Sequence, residues 1–513
     1  MKKSVATEIV ELVKDSGAML FLDQYKESYA LLPERPCHGV NIRSGEFKIW
    51  LSKLAYTQLQ KAPNSESLKS ACNVLEGMTH HGSATIPLHI RVGTFTNDGV
   101  SKIYYDLGNG NFVEISAAGW EIAESSPIWF RPLQHQQRQN RPEKGGDIRE
   151  LLKFINLSEE AREHGAEILI LTWIISSFIS DYPHPILVVH GPHGSAKSTL
   201  FSLLKTLIDP SSLTKMSPPN NQGDFAVAAS RHWFLPYDNL SYLPEWLSDA
   251  MCRACTGDGI SKRSLFTNGD EHIVSFRIVL GINGISLVVD KPDLLDRSIL
   301  LELKPLAPEN RQSEKNFWQE FEEKRPLLLG AIFDVLAGAL KEYPKVELKA
   351  LPRMADFACW GVAIARAMGL GDEAFFTAYK ENIHDQHEEA VDANPIARCV
   401  LEFMANKNEW ESSPTELLAE LNDLAQRLKI DTKGKLWPKD SGWLWRRLIM
   451  ARNNLEAMGY LIDRAWRNGQ RVIFIRQCPK NDVAAVGTDL FSIQQQNNTN
   501  TILSPDNGGH LNG

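Results

Sequence analysis

Three observations predict an α/β protein built on a parallel sheet with flanking helices. A short apolar strand, HPILVVH, runs straight into the glycine-rich loop GPHGSAKST, and the loop into a helical stretch, STLFSLLKTLI. Two further apolar strands, in RHWFLPYDNLS and SFRIVLGINGI, each end on a polar residue, Asp238 and Asn283. Segments of different pattern flank this core: mixed strands and helices before it, a compact basic stretch after it. The expected organisation is an α+β domain over 1–145, the α/β core over 146–345, a helical segment over 346–393, a compact module over 394–480 and a polar tail over 481–513.

At 513 residues the chain is too long for a single core. Apolar content of 43% and charged content of 23% are those of an ordinary globular protein, and a net charge of −8 argues against uniform binding of polyanions. Seven scattered cysteines suit a reducing compartment better than a disulfide framework. Cys252 and Cys255 form a lone CxxC; with no second ligand pair in sequence, they read as small apolar residues one helical turn apart. The N-terminal MKKSVATEIVELVKDSG has no apolar signal core, and ILILTWIISSFI (168–179) is too short to span a bilayer. The expectation is a cytoplasmic protein with no membrane partner.

Before the core, PLHIRVGTF and KIYYDLGNGNFVEIS read as strands, the latter folded back on Gly108-Asn109-Gly110. The polar, basic LQHQQRQNRPEKGGD (133–147) reads as a linker.

Strand, loop and helix in that order are what a phosphate-binding loop requires, because the amides at the helix start must point at the phosphates. The loop residues are Gly191, Gly194, Ser195, Ala196, Lys197, Ser198 and Thr199. Lys197 is placed for the β- and γ-phosphates of ATP, and Ser198 for Mg²⁺. Ala196 stands where the usual pattern has glycine, which a negative φ would tolerate. Asp238, ending the next strand, suits a second Mg²⁺ contact, and Arg297, just before a later strand, suits an arginine finger reaching a neighbouring subunit. Asn239 follows Asp238 where a water-activating glutamate is common; an amide positions water but takes no proton. Glu245 or Asp249 on the next helix offers a substitute carboxylate, unless both simply face solvent. Pro236 is unusual in a strand presumed central, since it removes a ladder donor.

GSAKST, DNLSYLPEWLSDAMCRACTGDG, KRSLFT, GINGI, PDLLDRSILLEL, RPLLLGAIFDV and RMADFACW together resemble the AAA+ ATPases of bacterial mobile elements and phages, relatives of superfamily-3 helicases and of the C-terminal halves of primase–helicases. The resemblance spans residues 145–370. It implies an AAA+ P-loop ATPase core, Asn283 as the residue that orients the attacking water, a ring-shaped homo-oligomer with a hexamer as its expected size, and replication proteins as further partners. Lys291 occupies a position where that group has arginine, which leaves Arg297 as the finger. Arg353 is then a second phosphate sensor or a member of an ordinary ion pair. No paired-acid motif of a primase is visible in the first 145 residues.

Two segments point to DNA. In ISKRSLFTNGDEHIVSF, strand-like runs flank Asn268-Gly269, where superfamily-3 helicases carry a channel hairpin; Lys262 and Arg263 at its base are phosphate contacts or a solvated surface. In the last module, NPIARCVLEFMAN, SSPTELLAELNDLAQRL and SGWLWRRLIMARNNLEAMG read as helices and YLIDRAWRNGQRVIFIRQ as a hairpin, an arrangement similar to a winged helix. Residues 427–480 hold 13 Lys/Arg against 4 Asp/Glu, a formal +9, so the remainder carries −17. That asymmetry is the footprint of localised DNA binding. Arg446, Arg447 and Arg452 on the third helix and Arg464, Arg467 and Arg471 on the hairpin form the expected contact set. The sequence thus suggests an ATPase coupled to DNA unwinding or translocation. The alternatives are an ATP-gated DNA-binding assembly factor with little hydrolysis, and a regulatory or defence ATPase.

Overall fold

The computed structural model describes residues 3–257, 277–285, 287, 289, 291–307, 311–348, 351–392, 394–434, 437–467 and 469–478, together with the backbone of 259–263 and 271–275. Contacts divide the chain into two units, residues 1–289 with 296–382 and residues 290–295 with 383–513. The fold is mixed α/β with several sheets.

The first unit opens with helix α1 (Val5–Asp15), strands β1 (Met19–Leu22), β2 (Ser28–Leu32) and β3 (Arg35–Asn41), helices α2 (Gly45–Leu59) and α3 (Ser65–Gly82), and strand β4 (Leu88–His89). Ser4, Ser44 and Asn64 cap the three helices with side-chain oxygens. Apolar residues at helical spacing, among them Ile9 and Val13, Phe47 and Leu51, Ala71 and Leu75, share one core beneath the sheet. An antiparallel meander follows: β5 (Val92–Asn97), β6 (Val100–Asp106), β7 (Phe112–Ser116) and β8 (Gly119–Ala123). The β6–β7 turn carries Gly108 at φ 70° and Gly110 at φ 92°, the left-handed positions the Gly-Asn-Gly signal anticipates. Strand β9 (Trp129–Phe130) returns to the first sheet, whose order is β1-β2-β3-β9-β4.

The stretch expected to be a linker is instead an ordered strap. Gln139 is buried, and its amide donates to Tyr105 Oη and to the Thr206 and Leu207 carbonyls. The Gln137 N–H donates to the Pro210 carbonyl, and that of Glu143 to the Pro326 carbonyl. Polar composition here supplies hydrogen bonds to the last carbonyls of α6 and to one inside α10 rather than freedom to move.

The core of this unit runs α4 (Glu159–Glu163), α5 (Ala166–Ser176), β10 (Ile186–His190), α6 (Lys197–Ile208), α7 (Gln222–Ala229), β11 (Phe234–Leu240), α8 (Glu245–Thr256), β12 (Gly259–Arg263), β13 (Glu271–Ser275) and β14 (Val279–Gly284). After the short helix α9 (Pro292–Leu295) of the second unit come β15 (Ser298–Glu302), α10 (Glu314–Glu342), α11 (Ala355–Ala367) and α12 (Asp372–Asp392), whose residues from Ile383 on are counted with the second unit. Strands β11-β14-β10-β15 form an all-parallel sheet. Its two inner strands are apolar up to Val189 and Ile282 because both faces are covered, and each then meets a polar residue, His190 or Asn283. Strand β11 is an edge strand, not a central one, which explains Pro236. Its carbonyl accepts from the Met216 N–H on the outer side, so the missing donor also faces outward and costs no bond to β14. Helix α5 is buried from Ile168 to Ser176. No helix among the described residues is long and apolar enough to cross a membrane. Cys252 and Cys255 are both buried on α8.

Helix α6 and strand β11 are pinned at their far ends by a sealed ion cluster. Asp209 accepts from Lys205 Nζ at 2.6 Å, from Arg91 Nε at 3.3 Å and from the Trp233 and Phe234 amides. Lys205 Nζ also donates to the Phe234 carbonyl and lies 3.2 Å from His232 Nδ1. Burial alone would raise the Asp209 carboxyl, but the Lys205 and Arg91 cations hold it well below the ordinary carboxylate value.

The second unit contains α13 (Pro395–Met404), β16 (Glu409–Ser412), α14 (Pro414–Arg427), α15 (Ser441–Ala457), β17 (Tyr460–Arg467) and β18 (Gln470–Gln477). A full capping box, Ser413 with Glu416, starts α14 with Pro414 in its first turn. Gly459 at φ 86° follows α15. Strand β16 was not anticipated; EWES is too short and polar to announce itself, and it forms only by pairing with β18. The three helices and three strands enclose a core that includes Leu417, Leu421, Leu444, Leu448, Ile462 and Ile475.

Candidate functional site

Parallel pairing brings the C-terminal ends of β10, β11 and β14 together, and each delivers one part of a polar cluster. Strand β10 leads into the loop through Gly191, whose φ is 146° and where a Cβ would lie 2.1 Å from the Leu303 carbonyl oxygen. Only glycine fits. The loop is fixed from outside. The Gly191 N–H donates to the Ile285 carbonyl, the Leu306 N–H to the Gly194 carbonyl, and Asn156 Nδ2 to the carbonyls of Ser195 and Lys304. Ser195 is buried, its hydroxyl donating to the Pro192 carbonyl, and Thr199 is half-buried in the first turn of α6.

Ala196 corrects an expectation. It sits at φ 66°, ψ 22°, in the left-handed region, and not at the negative φ that would make alanine neutral there. The conformation costs an L-residue about 1–2 kcal/mol, and the surrounding bonds to Gly194 and Ser195 impose it.

Lys197 Nζ donates to the Gly191 and Pro192 carbonyls at 2.6 and 2.9 Å and lies 3.2 Å from Ser195 Oγ. Partial burial pulls its ammonium below the ordinary value, opposed by the Asp238 carboxylate. Ser198 Oγ donates to Asp238 Oδ1 at 2.8 Å, and Asn283 Nδ2 donates to the same oxygen at 2.7 Å. Asn283 is buried, and its own Oδ1 accepts the Asn239 N–H at 2.7 Å. One asparagine therefore locks both residues at the end of β11. Asn239 itself lies in a register shift of β11, at φ 60°, with its side chain exposed. Glu245 and Asp249 lie exposed on α8. The serine hydroxyl and the aspartate carboxylate, side by side, are hard oxygen donors of the kind Mg²⁺ takes.

Arg297 is not part of this cluster. Its carbonyl accepts the Ile186 N–H at the opposite end of β10, which is five residues long, so Arg297 begins at least ~13 Å of strand away from the loop. Arg353 is not brought to the loop either. It pairs with Asp296 at 3.3 Å, beside Arg297, because the turn before α11 approaches the N-terminal end of the sheet. Of the two roles read for Arg353 in the sequence, phosphate sensor or ordinary ion pair, the contact with Asp296 is that of the ion pair.

Strands β12 and β13 pair antiparallel from Gly259↔Ser275 to Arg263↔Glu271. Lys262 and Arg263 therefore occupy the last described rungs, at the end of the ladder away from Gly259↔Ser275, not its base; Asn268 and Gly269 lie outside the described residues.

In the second unit the six expected arginines separate into two groups. Arg446, Arg464 and Arg471 line a groove of about 250 Å³ between the start of α15 and the β17–β18 hairpin, with Trp445 and Ile473 behind them. Arg467 turns to the other side of the hairpin and pairs with Glu411 at 3.1 Å, as alternation along the strand requires. Arg452 pairs with Glu456 one helical turn on, and Arg447 donates toward Met450 Sδ. Sequence reasoning missed the tryptophans of this surface. Trp443 and Trp466 are 45% and 68% exposed, each with a guanidinium over its ring, Arg446 at 4.8 Å and Arg471 at 5.2 Å. The signal available was an aromatic among basic residues beside a predicted turn.

Residues 148–389 match the family model described as actinomycete integrative conjugative element replication protein. Residues 396–488 match that of the AICE RepA C-terminal domain. No protein of curated function matches the chain. Among solved structures, the A form apo structure of the NrS-1 C terminal region is 10% identical with a TM-score of 0.42, and a second apo structure of that region is 12% identical with a TM-score of 0.43; each comparison covers 93% of this chain and 100% of the other. Over the two matched segments, this chain is similar to the replication protein RepA of actinomycete integrative conjugative elements.

Proposed function

We propose that the chain is a DNA-dependent ATPase of the AAA+ type, acting as a ring in the replication of a mobile element. One observation carries the reading: the Ser198–Asp238–Asn283 hydrogen-bonded trio beside Lys197, at the C-terminal ends of adjacent parallel strands. The matching family, replication proteins of actinomycete integrative conjugative elements, supports the biological setting.

Loop amides and Lys197 hold the ATP phosphates; Ser198 and Asp238 hold Mg²⁺, which when bound neutralises phosphate charge. Asn283 keeps Asp238 in place and orients the attacking water. Arg297, at the far end of the sheet from its own loop, serves a neighbouring subunit's ATP, which is why activity needs the oligomer. The second unit, read as a winged helix, grips DNA. Phosphoryl transfer relies mainly on positioning and electrostatics, so Asn239 slows turnover without abolishing it.

Asn239 also favours a second reading, an ATP-gated DNA-binding assembly with little hydrolysis, because no carboxylate stands at that position. ATP hydrolysis with and without forked DNA, beside Lys197→Ala, separates the two. DNA-stimulated turnover abolished by the substitution is expected. ATP binding without turnover in either condition would sink the motor reading in favour of the assembly factor.

A further inference from the structure

We propose that the groove between α15 and the β17–β18 hairpin binds an unpaired stretch of DNA, with phosphates on Arg446, Arg464 and Arg471 and a base stacked on Trp466. The inference rests on the DNA-binding reading above and names which form of DNA the second unit selects.

The register of the hairpin gives the first argument. Ile462 pairs with Ile475, Arg464 with Ile473, and Trp466 with Arg471, so these six residues share one face. At the base this face is core, with Ile462, Ile473 and Ile475 buried. Toward the turn it becomes Arg464, then Arg471 and Trp466. The ladder ends one rung later, at Arg467↔Gln470, so the indole stands at the tip of the hairpin on the same face as the groove.

The second argument is chemical. Guanidiniums lie over the indoles, Arg464 over Trp445 at 5.0 Å and Arg471 over Trp466 at 5.2 Å, an attraction that favours keeping the cations along the groove. No carboxylate lines the groove among the described residues. The amides of Gly442 and Trp443 at the start of α15 are already taken by Asp440, so the positive character comes from the arginines. The +9 charge of residues 427–480 makes the occupant a polyanion.

The third argument separates duplex from unpaired strand. A stacked duplex offers base edges in its grooves and hides its base faces. A tryptophan that is 68% exposed, with Arg471 over its ring, presents the surface an unstacked base takes. A phosphate row and a base face together occur where strands part.

The test uses the full chain and labelled DNA of two kinds, a fork with unpaired arms and a blunt duplex of equal length, titrated at one salt concentration. The wild type is expected to prefer the fork. Trp466→Ala should weaken fork binding about tenfold or more, the size of one lost base stack, and leave blunt-duplex binding within about twofold. Trp466→Phe should restore most of the loss, and the double change Arg464→Ala with Arg471→Ala should weaken both substrates and flatten the salt dependence. Equal losses on both substrates, or none on the fork, would overturn the proposal while leaving the DNA-binding reading standing. If the wild type binds neither, the DNA-binding reading itself falls, and this proposal with it.

Discussion

Helix α6 and strand β11 carry a polar cluster at each end, and the two clusters follow opposite rules. At one end Ser198 and Asp238 are half-buried, held by single hydrogen bonds and by one asparagine from the neighbouring strand. At the other, Lys205 and Asp209 are sealed, and Arg91, His232 and the Trp233 and Phe234 amides share the pair. A site for a ligand must leave donors and acceptors able to exchange partners; a structural cluster must leave none unpaired. Fixing the far ends of the helix and the strand is also what keeps the near ends in register. The sealed cluster is therefore the frame on which the open one is held.

The comparison breaks most sharply by deleting one carboxylate from each end. Asp209→Ala strands Lys205 and Arg91 in a dry interior, and should cost about 3–5 kcal/mol in urea unfolding. Asp238→Ala should cost less, about 1–3 kcal/mol for the buried Asn283 amide left without its acceptor, while removing ATP turnover. Comparable stability losses for the two would show that the clusters do not differ in kind.

Acid sharpens the same contrast, because buried histidines surround the sealed end. Burial pushes His184 and His232 down to about 3 from the ordinary 6.5, helped by Arg277 near the first and Lys205 near the second. These bases stay neutral in the fold, so the unfolded chain takes up protons first. The stability they contribute is complete above about pH 6.5 and is lost as pH falls toward about 3. The urea midpoint should drop between pH 7 and pH 5. His184→Phe keeps the packing against Tyr182 and Trp233 and removes a ring nitrogen, Nε2, that has no hydrogen-bond partner among the described residues. It should flatten that slope; an unchanged slope would acquit His184. A smaller effect is expected from Arg353→Ala. Its half-exposed ion pair with Asp296 contributes up to about 1 kcal/mol, and nucleotide affinity of the isolated subunit should not move.

What could be read in advance followed from local pattern. Strand–loop–helix, the glycine turn at 108–110 and the Ser413 cap are written in neighbouring residues, and they appear where the pattern put them. What needed the fold was anything set by distant partners. The strap at 133–147 is polar because it feeds helix ends more than 60 residues away. Pro236 looked misplaced until its strand proved to be an edge. The six arginines looked equivalent in sequence, yet alternation along β17 sends Arg464 and Arg467 to opposite sides of the hairpin, and only a tertiary view distinguishes groove from partner. The exposure of Trp466 was not legible for the same reason, although its place among basic residues beside a turn was.

A comparably small effect concerns the loop itself. At φ 66° Ala196 bears about 1–2 kcal/mol of left-handed strain that glycine would not. Ala196→Gly also gives the unfolded chain more freedom, a loss of about 0.4–1 kcal/mol. The net expectation is a gain of up to about 1.5 kcal/mol in urea unfolding, with Lys197 and Ser198 unmoved because Asn156, Leu303 and Leu306 fix the loop from outside. If the strain only reflects tolerated drift from glycine, the substitution should leave ATP affinity unchanged. If the strain holds the loop amides at the angle a phosphate needs, the stabilised variant should bind ATP more weakly. Measuring both quantities on one protein tells whether the alanine is merely accommodated or used.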